Sequence, residues 1–88
     1  MKVCTLTIIK EKVEEPVNVE IKLYAKPEDA IEAYNKAVDE AQEEAKFYDD
    51  VHEASEIATD TPYRWWSIYD IEGSYDMIAI ELDTKEVM

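Results

Sequence analysis

The longest regular pattern of apolar and polar positions in the chain runs from residue 27 to about residue 49 and predicts an amphipathic α-helix. At ~100° per residue, its apolar side chains fall within about 160° of arc, and charged or amide side chains occupy the other side. A stripe of this width is typical of a helix that packs on a core, because the seam of a coiled coil is narrower. Pro27 suits the first helical position. The predicted buried stripe consists of Ala30, Ile31, Ala33, Tyr34, Ala37, Val38, Ala41, Ala45 and Tyr48.

Alanine dominates the centre of this stripe, and alanine fills little volume. The helix axis is therefore expected to lie close to the layer beneath it, which must supply the bulky side chains. Beyond residue 49 the apolar residues leave the stripe, so we expect the helix to end near Asp50. Residues 52–59 are expected to form either a short extra strand or an irregular acidic segment.

Two segments ahead of the helix have the pattern of β-strands. Between Lys2 and Lys10, threonine and β-branched residues occur on both sides of the alternation, which favours a strand over a helix. Residues 17–24 alternate strictly between apolar and polar, which is typical of a strand with one buried and one solvated face. The charged residues 11–16 suit a loop, so the two strands are predicted to form a hairpin. We expect Cys4, Leu6, Ile8, Val17, Val19, Ile21 and Leu23 to face the core, and Asn18, Glu20, Lys22 and Tyr24 to face solvent.

The C-terminal part of the chain predicts a second hairpin. Pro62 precedes an aromatic segment, residues 63–70, and Gly73 separates this segment from residues 75–82, which are rich in isoleucine. Both segments have the β-branched and aromatic composition of strands. Residues 83–88 are expected to form a charged tail. The residues expected to face the helix are Ile78, Ile80 and Leu82.

These elements predict a single α+β domain that covers residues 1–88. The domain has two layers and is of the ββαββ type. Its mostly antiparallel sheet of roughly four or five strands carries one long amphipathic helix, packed on one face. The alternating patterns leave the order of the strands in the sheet open.

Acidic residues outnumber basic ones by 22 to 9, which gives a formal net charge of −13 at pH 7. This charge opposes direct binding to nucleic acid phosphates or to anionic lipid, because both require clustered lysine and arginine. Between Asp39 and Asp60 nine acids accompany one lysine, Lys46, for a local net charge of −8. We therefore expect a basic protein partner, with no direct nucleic acid binding and no membrane contact.

The acidic residues around the end of the predicted helix are one candidate binding surface. Carboxylates three and four residues apart on a helix lie ~5–6 Å from one another, which is on the scale of the phosphate spacing along a DNA strand. Such a surface is able to mimic nucleic acid toward a basic groove. The alternative is a solvated helix face that keeps the protein monomeric. This acidic set consists of Asp39, Glu40, Glu43, Glu44, Asp49 and Asp50.

The adjacent tryptophans Trp65 and Trp66 provide the other candidate surface, because neighbouring side chains of a strand point to opposite faces. Trp66 and Ile68 share one face, and the other face carries rings suited to a partner site, since Trp, Tyr and Met are enriched at interface cores. The alternatives are a face covered by the last segment or by a second copy, and rings that stiffen the hairpin through cross-strand pairs. This aromatic set consists of Tyr63, Trp65, Tyr69, Tyr75 and Met77, with Ser67 on the same side.

Few residues of the chain suit catalysis or metal binding. With one histidine, one cysteine and one glycine, the chain has no glycine-rich phosphate loop and few routes to acid–base or covalent chemistry. The acids around His52 lack the spacing of a calcium loop or a zinc helix motif, and Cys4 is expected to be a small buried hydrophobe. We expect no catalytic residues, no cofactor and no metal. The single cysteine, and the lack of a leader-like segment or an apolar run of ~18 residues, favour a cytoplasmic protein.

No family motif is present. In length, acidity and hairpin–helix–hairpin order, the chain is similar to accessory proteins of phages and mobile elements, including anti-restriction and anti-CRISPR inhibitors, although the similarity covers no motif. The leading hypothesis is a non-catalytic module that binds a basic protein, for example a nucleic acid-binding one, through the acidic set, the aromatic set or both. The alternative is a self-assembling structural homodimer, without a small-molecule ligand, whose aromatic faces pack together.

Overall fold

Five β-strands and one α-helix make up the protein in a computed structural model that describes residues 2–12, 15–48, 50–72 and 76–86. The order along the chain is ββαβββ, with a short 3₁₀ turn directly after the helix. This is an α+β fold, as predicted. The elements are β1 Lys2–Glu11, β2 Asn18–Tyr24, α1 Pro27–Glu44, the 3₁₀ turn Ala45–Phe47, β3 Asp50–Ile57, β4 Arg64–Glu72 and β5 Met77–Glu86.

The strands form one antiparallel sheet in the order β2-β1-β5-β4-β3. The two predicted hairpins are present, β1 with β2 and β4 with β5, and β3 pairs with β4. β5 lies beside β1 at the centre of the sheet, where Leu6 is opposite Leu82. β1 and β5 therefore have neighbours on both sides, and β2 and β3 form the two edges.

α1 packs on one face of the sheet, mainly across β1 and β5. Its buried side is lined mainly by alanine, as predicted, and the strands supply the bulky side chains. Full burial of a leucine or isoleucine side chain contributes about 1.5–3 kcal/mol, which makes this interface the main source of stability. The buried core consists of Cys4, Leu6, Ala30, Tyr34, Ala41, Ala45, Trp66, Ile68, Ile78, Ile80 and Leu82.

The alternating residues of β2 lie on the faces opposite to those predicted. Lys22 is opposite Leu6, whose side chain is buried under α1, so the polar residues of β2 point to the helix side. Tyr24, predicted to face solvent, is half-buried against the core. The residues predicted to face the core but exposed in the structure are Val17, Val19, Ile21 and Leu23.

The register of the first hairpin explains this difference. Asn18 pairs with Lys10, and a shift by one residue would exchange the two faces of β2. Because α1 covers β1 and β5 more than β2, the helix side of β2 borders a cleft instead of the core. Glu20 and Lys22 line this cleft and form an ion pair of 3.2 Å.

The ends of two elements also differ from prediction. α1 ends at Glu44 instead of near Asp50, and the chain from residue 50 pairs with β4, which satisfies the backbone groups on the inner side of that strand. Residues 52–59, for which a short strand and an irregular acidic segment were both expected, are a strand as far as Ile57. The predicted charged tail from residue 83 is the last part of β5, where Glu86 lies opposite Lys2 of β1.

Candidate functional site: the open face of the sheet

The face of the sheet opposite α1 is the candidate functional site, and we call it the open face. Every second residue of each strand points to it, because side chains alternate along a strand. The pairing register brings these residues into rows across the sheet. From one edge to the other, they are Val19, Ile21 and Leu23 of β2; Val3, Thr5, Thr7, Ile9 and Glu11 of β1; Met77, Ala79, Glu81, Asp83 and Lys85 of β5; Trp65, Ser67 and Tyr69 of β4; and His52, Ala54 and Glu56 of β3.

In the half of the open face formed by β2 and β1, β2 presents a row of exposed apolar side chains beside the half-buried residues of β1. Ile21 lies opposite Thr7, and Val19 lies opposite Ile9. Val19 is 53% exposed, Ile21 61% and Leu23 68%. Contiguous exposed apolar residues of this kind mark interaction sites more often than chance, whereas single ones need no explanation.

The other half of the open face carries the aromatic set. Trp65 and Tyr69 of β4 point to this face, and Met77 of β5 lies opposite Tyr69. Tyr63, which precedes β4, borders the same surface. The structure therefore brings these predicted residues to one face, while Tyr75 lies outside the described residues. Their role in binding a partner stays a prediction.

A shallow depression of about 310 Å³ lies between the two halves. Ala79 sits between Ile9 of β1 and Ser67 of β4 in one row of the sheet. Because alanine and serine are small, the surface falls away beside the ring of Trp65, which also lines the depression. The depression is suited to a single side chain of a partner.

Acidic side chains give the open face a negative charge. Its described residues include four acids and one lysine, for a net charge of −3. Desolvation raises the pKa of the Tyr63 hydroxyl, and the nearby carboxylates of Glu81 and Asp83 raise it further. The charged side chains are Glu11, Glu56, Glu81, Asp83 and Lys85.

Two members of the acidic set are engaged in ion pairs. Lys10 Nζ of β1 donates to Glu44 Oε2 over 2.8 Å. Lys46 is similarly paired with Glu43 one helical turn away. All four side chains are exposed, so these pairs contribute only ~0–1 kcal/mol each.

The acidic set is divided between different sides of α1. Glu40 lines the cleft between α1 and β2, whereas Asp39 lines a groove between α1 and β3. Asp49 and the side chain of Asp50 lie outside the described residues. The set is therefore a weaker candidate for one continuous binding surface than the open face.

Sequence reasoning missed the contribution of β2 to the open face. The available signal was in β1, where Thr5, Thr7 and Ile9 make the side away from Cys4 and Leu6 partly apolar. A strand with β-branched residues on both sides favours an apolar neighbour on either face. That signal alone does not decide whether the apolar side of β2 faces the helix or the open face.

Within the described residues, no three His, Cys, Asp or Glu side chains are grouped so that they could hold a metal ion. The same part of the chain contains no helix both long and apolar enough to cross a membrane. Comparison of the chain with protein-family models, curated proteins and solved structures found no match.

Proposed function

We propose that the protein is a cytoplasmic, non-catalytic interaction module whose open face binds a basic protein partner. The observation that carries this proposal is the exposed apolar row of Val19, Ile21 and Leu23 on β2, which shares the open face with the ring of Trp65. Removing apolar surface from water contributes ~25 cal/mol per Å². A partner seated on this face therefore gains affinity from surface that the chain itself leaves uncovered.

The charge of the open face supports a basic partner. Glu81 and Asp83 belong to β5, the central strand, so a docked partner must place groups beside both carboxylates. Lysine or arginine there complements them, and the net charge of −13 on the whole chain speeds the encounter. Two copies packed by their open faces would instead bring together eight acids and two lysines, because each described open face carries four acids and one lysine. The charge thus disfavours the alternative homodimer formed by these faces.

The depression beside Trp65 supports an anchored mode of binding. Binding energy at protein interfaces is concentrated in a few residues that fill pockets near the centre of the contact. The depression lies between the apolar half and the aromatic half of the open face, close to Glu81. An arginine of the partner fits this place, because its stem packs on Trp65 while its guanidinium meets the carboxylate.

The acidic set is a second candidate contact for the same basic partner. The exposed pairs Lys10–Glu44 and Lys46–Glu43 are weak, so a basic partner is able to replace the lysines. Reversal of Glu40, Glu43 and Glu44 to lysine abolishes binding if this set carries it. Unchanged affinity of that variant at low salt assigns the binding to the open face instead.

Site-specific cross-linking in the native host tests the proposal. A photoreactive amino acid at position 69, which is 41% exposed on the open face and lies away from the edge strand β2, is expected to capture a basic protein, identified by mass spectrometry. The same amino acid at position 47 serves as the control. Phe47 is 81% exposed but lies in the 3₁₀ turn, outside the open face. The purified partner is then titrated calorimetrically against Trp65→Ala and, as the matched control, Phe47→Ala.

The expected result is a loss of affinity of at least about tenfold for Trp65→Ala, since truncation of a hot-spot aromatic typically costs about 2 kcal/mol or more and ~1.4 kcal/mol is tenfold in affinity. Phe47→Ala is expected to bind like the unmodified chain. Equal affinities of the two variants, or capture of the same protein from position 47 alone, would overturn the proposal.

A further inference from the structure

β2 presents a regular strand edge on which no described segment of the chain pairs. It is the outermost strand on its side of the sheet, and its register with β1 runs without a shift over all seven residues. Every residue of β2 except Tyr24 is exposed. An edge of this kind offers a row of backbone N–H and C=O groups to another strand.

The sequence of β2 is complementary to itself in the antiparallel direction. If Ile21 of one copy lies opposite Ile21 of a second copy, Glu20 lies opposite the second copy's Lys22, and Lys22 lies opposite its Glu20. On the other face of the sheet, Val19 lies opposite the second copy's Leu23. Opposite charges and apolar pairs directly across two strands both stabilise a sheet.

The charge of β2 distinguishes it from the other edge. In β2, Glu20 and Lys22 sum to zero, although the chain carries a net charge of −13. β3 contains three acids, Asp50, Glu53 and Glu56, and no lysine or arginine. Its register with β4 also shifts between Asp50 and Val51. β2 is therefore the edge at which two acidic chains repel each other least.

We propose that β2 pairs with β2 of a second copy, so that two chains form a continuous antiparallel sheet of ten strands, twice five. The two-fold axis of such a pair runs perpendicular to the sheet through Ile21, which places both helices on one side and both open faces on the other. The exposed rows of Val19 and Leu23 then meet. The two intrastrand ion pairs of Glu20 and Lys22, one in each copy, are exchanged for two pairs between copies.

This inference is independent of the proposed function, because edge pairing leaves the open face uncovered. Its consequence for that function is a bivalent surface, which binds a repetitive or dimeric partner more tightly than one face does. One paired strand makes a small interface, so the dimer is expected to dissociate on dilution from millimolar to micromolar concentration.

Exchange of the two charges tests the pairing. Analytical ultracentrifugation is expected to show that Lys22→Glu and Glu20→Lys each raise the dissociation constant of the dimer roughly tenfold or more, since two cross-strand pairs become like-charged. The double variant E20K/K22E is expected to dimerise like the unmodified chain. An equimolar mixture of the two single variants is expected to form a heterodimer, which also shows that both are folded.

Lys46→Glu is the matched control, because it changes the net charge from −13 to −15 as Lys22→Glu does but lies in the 3₁₀ turn, outside the cleft that Glu20 and Lys22 line. It is expected to leave the dissociation constant within about threefold of the unmodified value, since exposed charges at a distance are screened. A monomer at every concentration overturns the inference, and so does a dimer that all charge variants leave unchanged.

Oxidative cross-linking tests the register. In a Cys4→Ala background, Ile21→Cys is expected to form a disulfide-linked dimer, because the two positions face each other on the axis. Leu23→Cys is the control, since the two copies of position 23 would lie about 13 Å apart along the strands at ~3.3 Å per residue. Equal cross-linking at both positions overturns the proposed register. If the chain dimerises as expected but binds no basic protein, the proposed function is refuted and the edge pairing is not.

Discussion

The indole Nε1 of Trp66 donates a hydrogen bond to Glu53 Oε2 over 2.9 Å, which joins β4 to the edge strand β3 on the helix side of the sheet. Trp66 is only 4% exposed, so its N–H would otherwise lack a partner in the core. Gln42 of α1 also donates to this oxygen, over 3.4 Å. Glu53 thus connects the end of the helix to a part of the sheet that the helix leaves partly uncovered.

We expect Glu53→Ala and Trp66→Phe to show a coupling free energy of about 1–2 kcal/mol in a double-mutant cycle, since hydrogen bonds to charged groups lie at the upper end of the measured range. Urea denaturation of the two single variants and the double variant gives this value. Glu56→Ala is the control, because Glu56 is on the same strand but on the open face. A coupling free energy of zero would show that the hydrogen bond adds no stability.

Truncation of two strand isoleucines is expected to have very different effects on stability. Ile80 lies under α1 and is 1% exposed, whereas Ile57 at the end of β3 is 62% exposed. Ile80→Ala leaves a cavity and is expected to lower the free energy of unfolding by about 2–5 kcal/mol. Ile57→Ala is expected to change it by at most ~0.5 kcal/mol. Chemical denaturation measures both, and similar losses would contradict the position of α1.

The stability of the fold is expected to fall as the pH rises above the ordinary tyrosine pKa of 10.0. Burial raises the pKa of the Tyr34 hydroxyl, and this outweighs the opposing charge of Arg64. Burial also raises the pKa of Tyr48. The folded chain therefore holds these protons more tightly than the unfolded chain, so their contribution is complete below pH 10 and is lost as the pH climbs through the raised pKa values.

Tyr34→Phe is expected to make this alkaline decline shallower, because phenylalanine has no proton to lose. The free energy of unfolding, measured in urea at a series of pH values from neutral to strongly alkaline, gives the slope for both chains. Absorbance of tyrosinate follows the titration in parallel. Identical slopes would show that the Tyr34 hydroxyl keeps the same proton affinity on folding.

Much of this fold follows from periodicity within single segments. Regular spacing inside one element is enough to predict the alanine stripe of α1. It also predicts that Ile78, Ile80 and Leu82 point toward the helix, and both predictions are confirmed. The opposite orientations of Trp65 and Trp66 follow from strand alternation in the same way. The acidic pattern of β3 does not by itself predict a strand, because β3 forms through its pairing with β4.

The candidate site was predictable in part. Alternation in β4 and β5 places Trp65, Tyr69 and Met77 on a common face, as predicted. The apolar half of that face was assigned to the core, since apolar residues in a strand are buried more often than exposed. The apolar row of β2 on the same face as Trp65 therefore became visible only once β2 was placed against β1.

The amino-acid order of the chain is enough to establish a helix with one buried stripe, two hairpins and strands whose two faces differ in polarity. Each of these features depends on neighbours along the chain. Whether the apolar side of β2 meets α1 depends on the hairpin register and on how far the helix reaches across the sheet. Those are relations between elements, and a shift of one residue in pairing reverses them. The exposed apolar face is therefore a property of the assembled sheet.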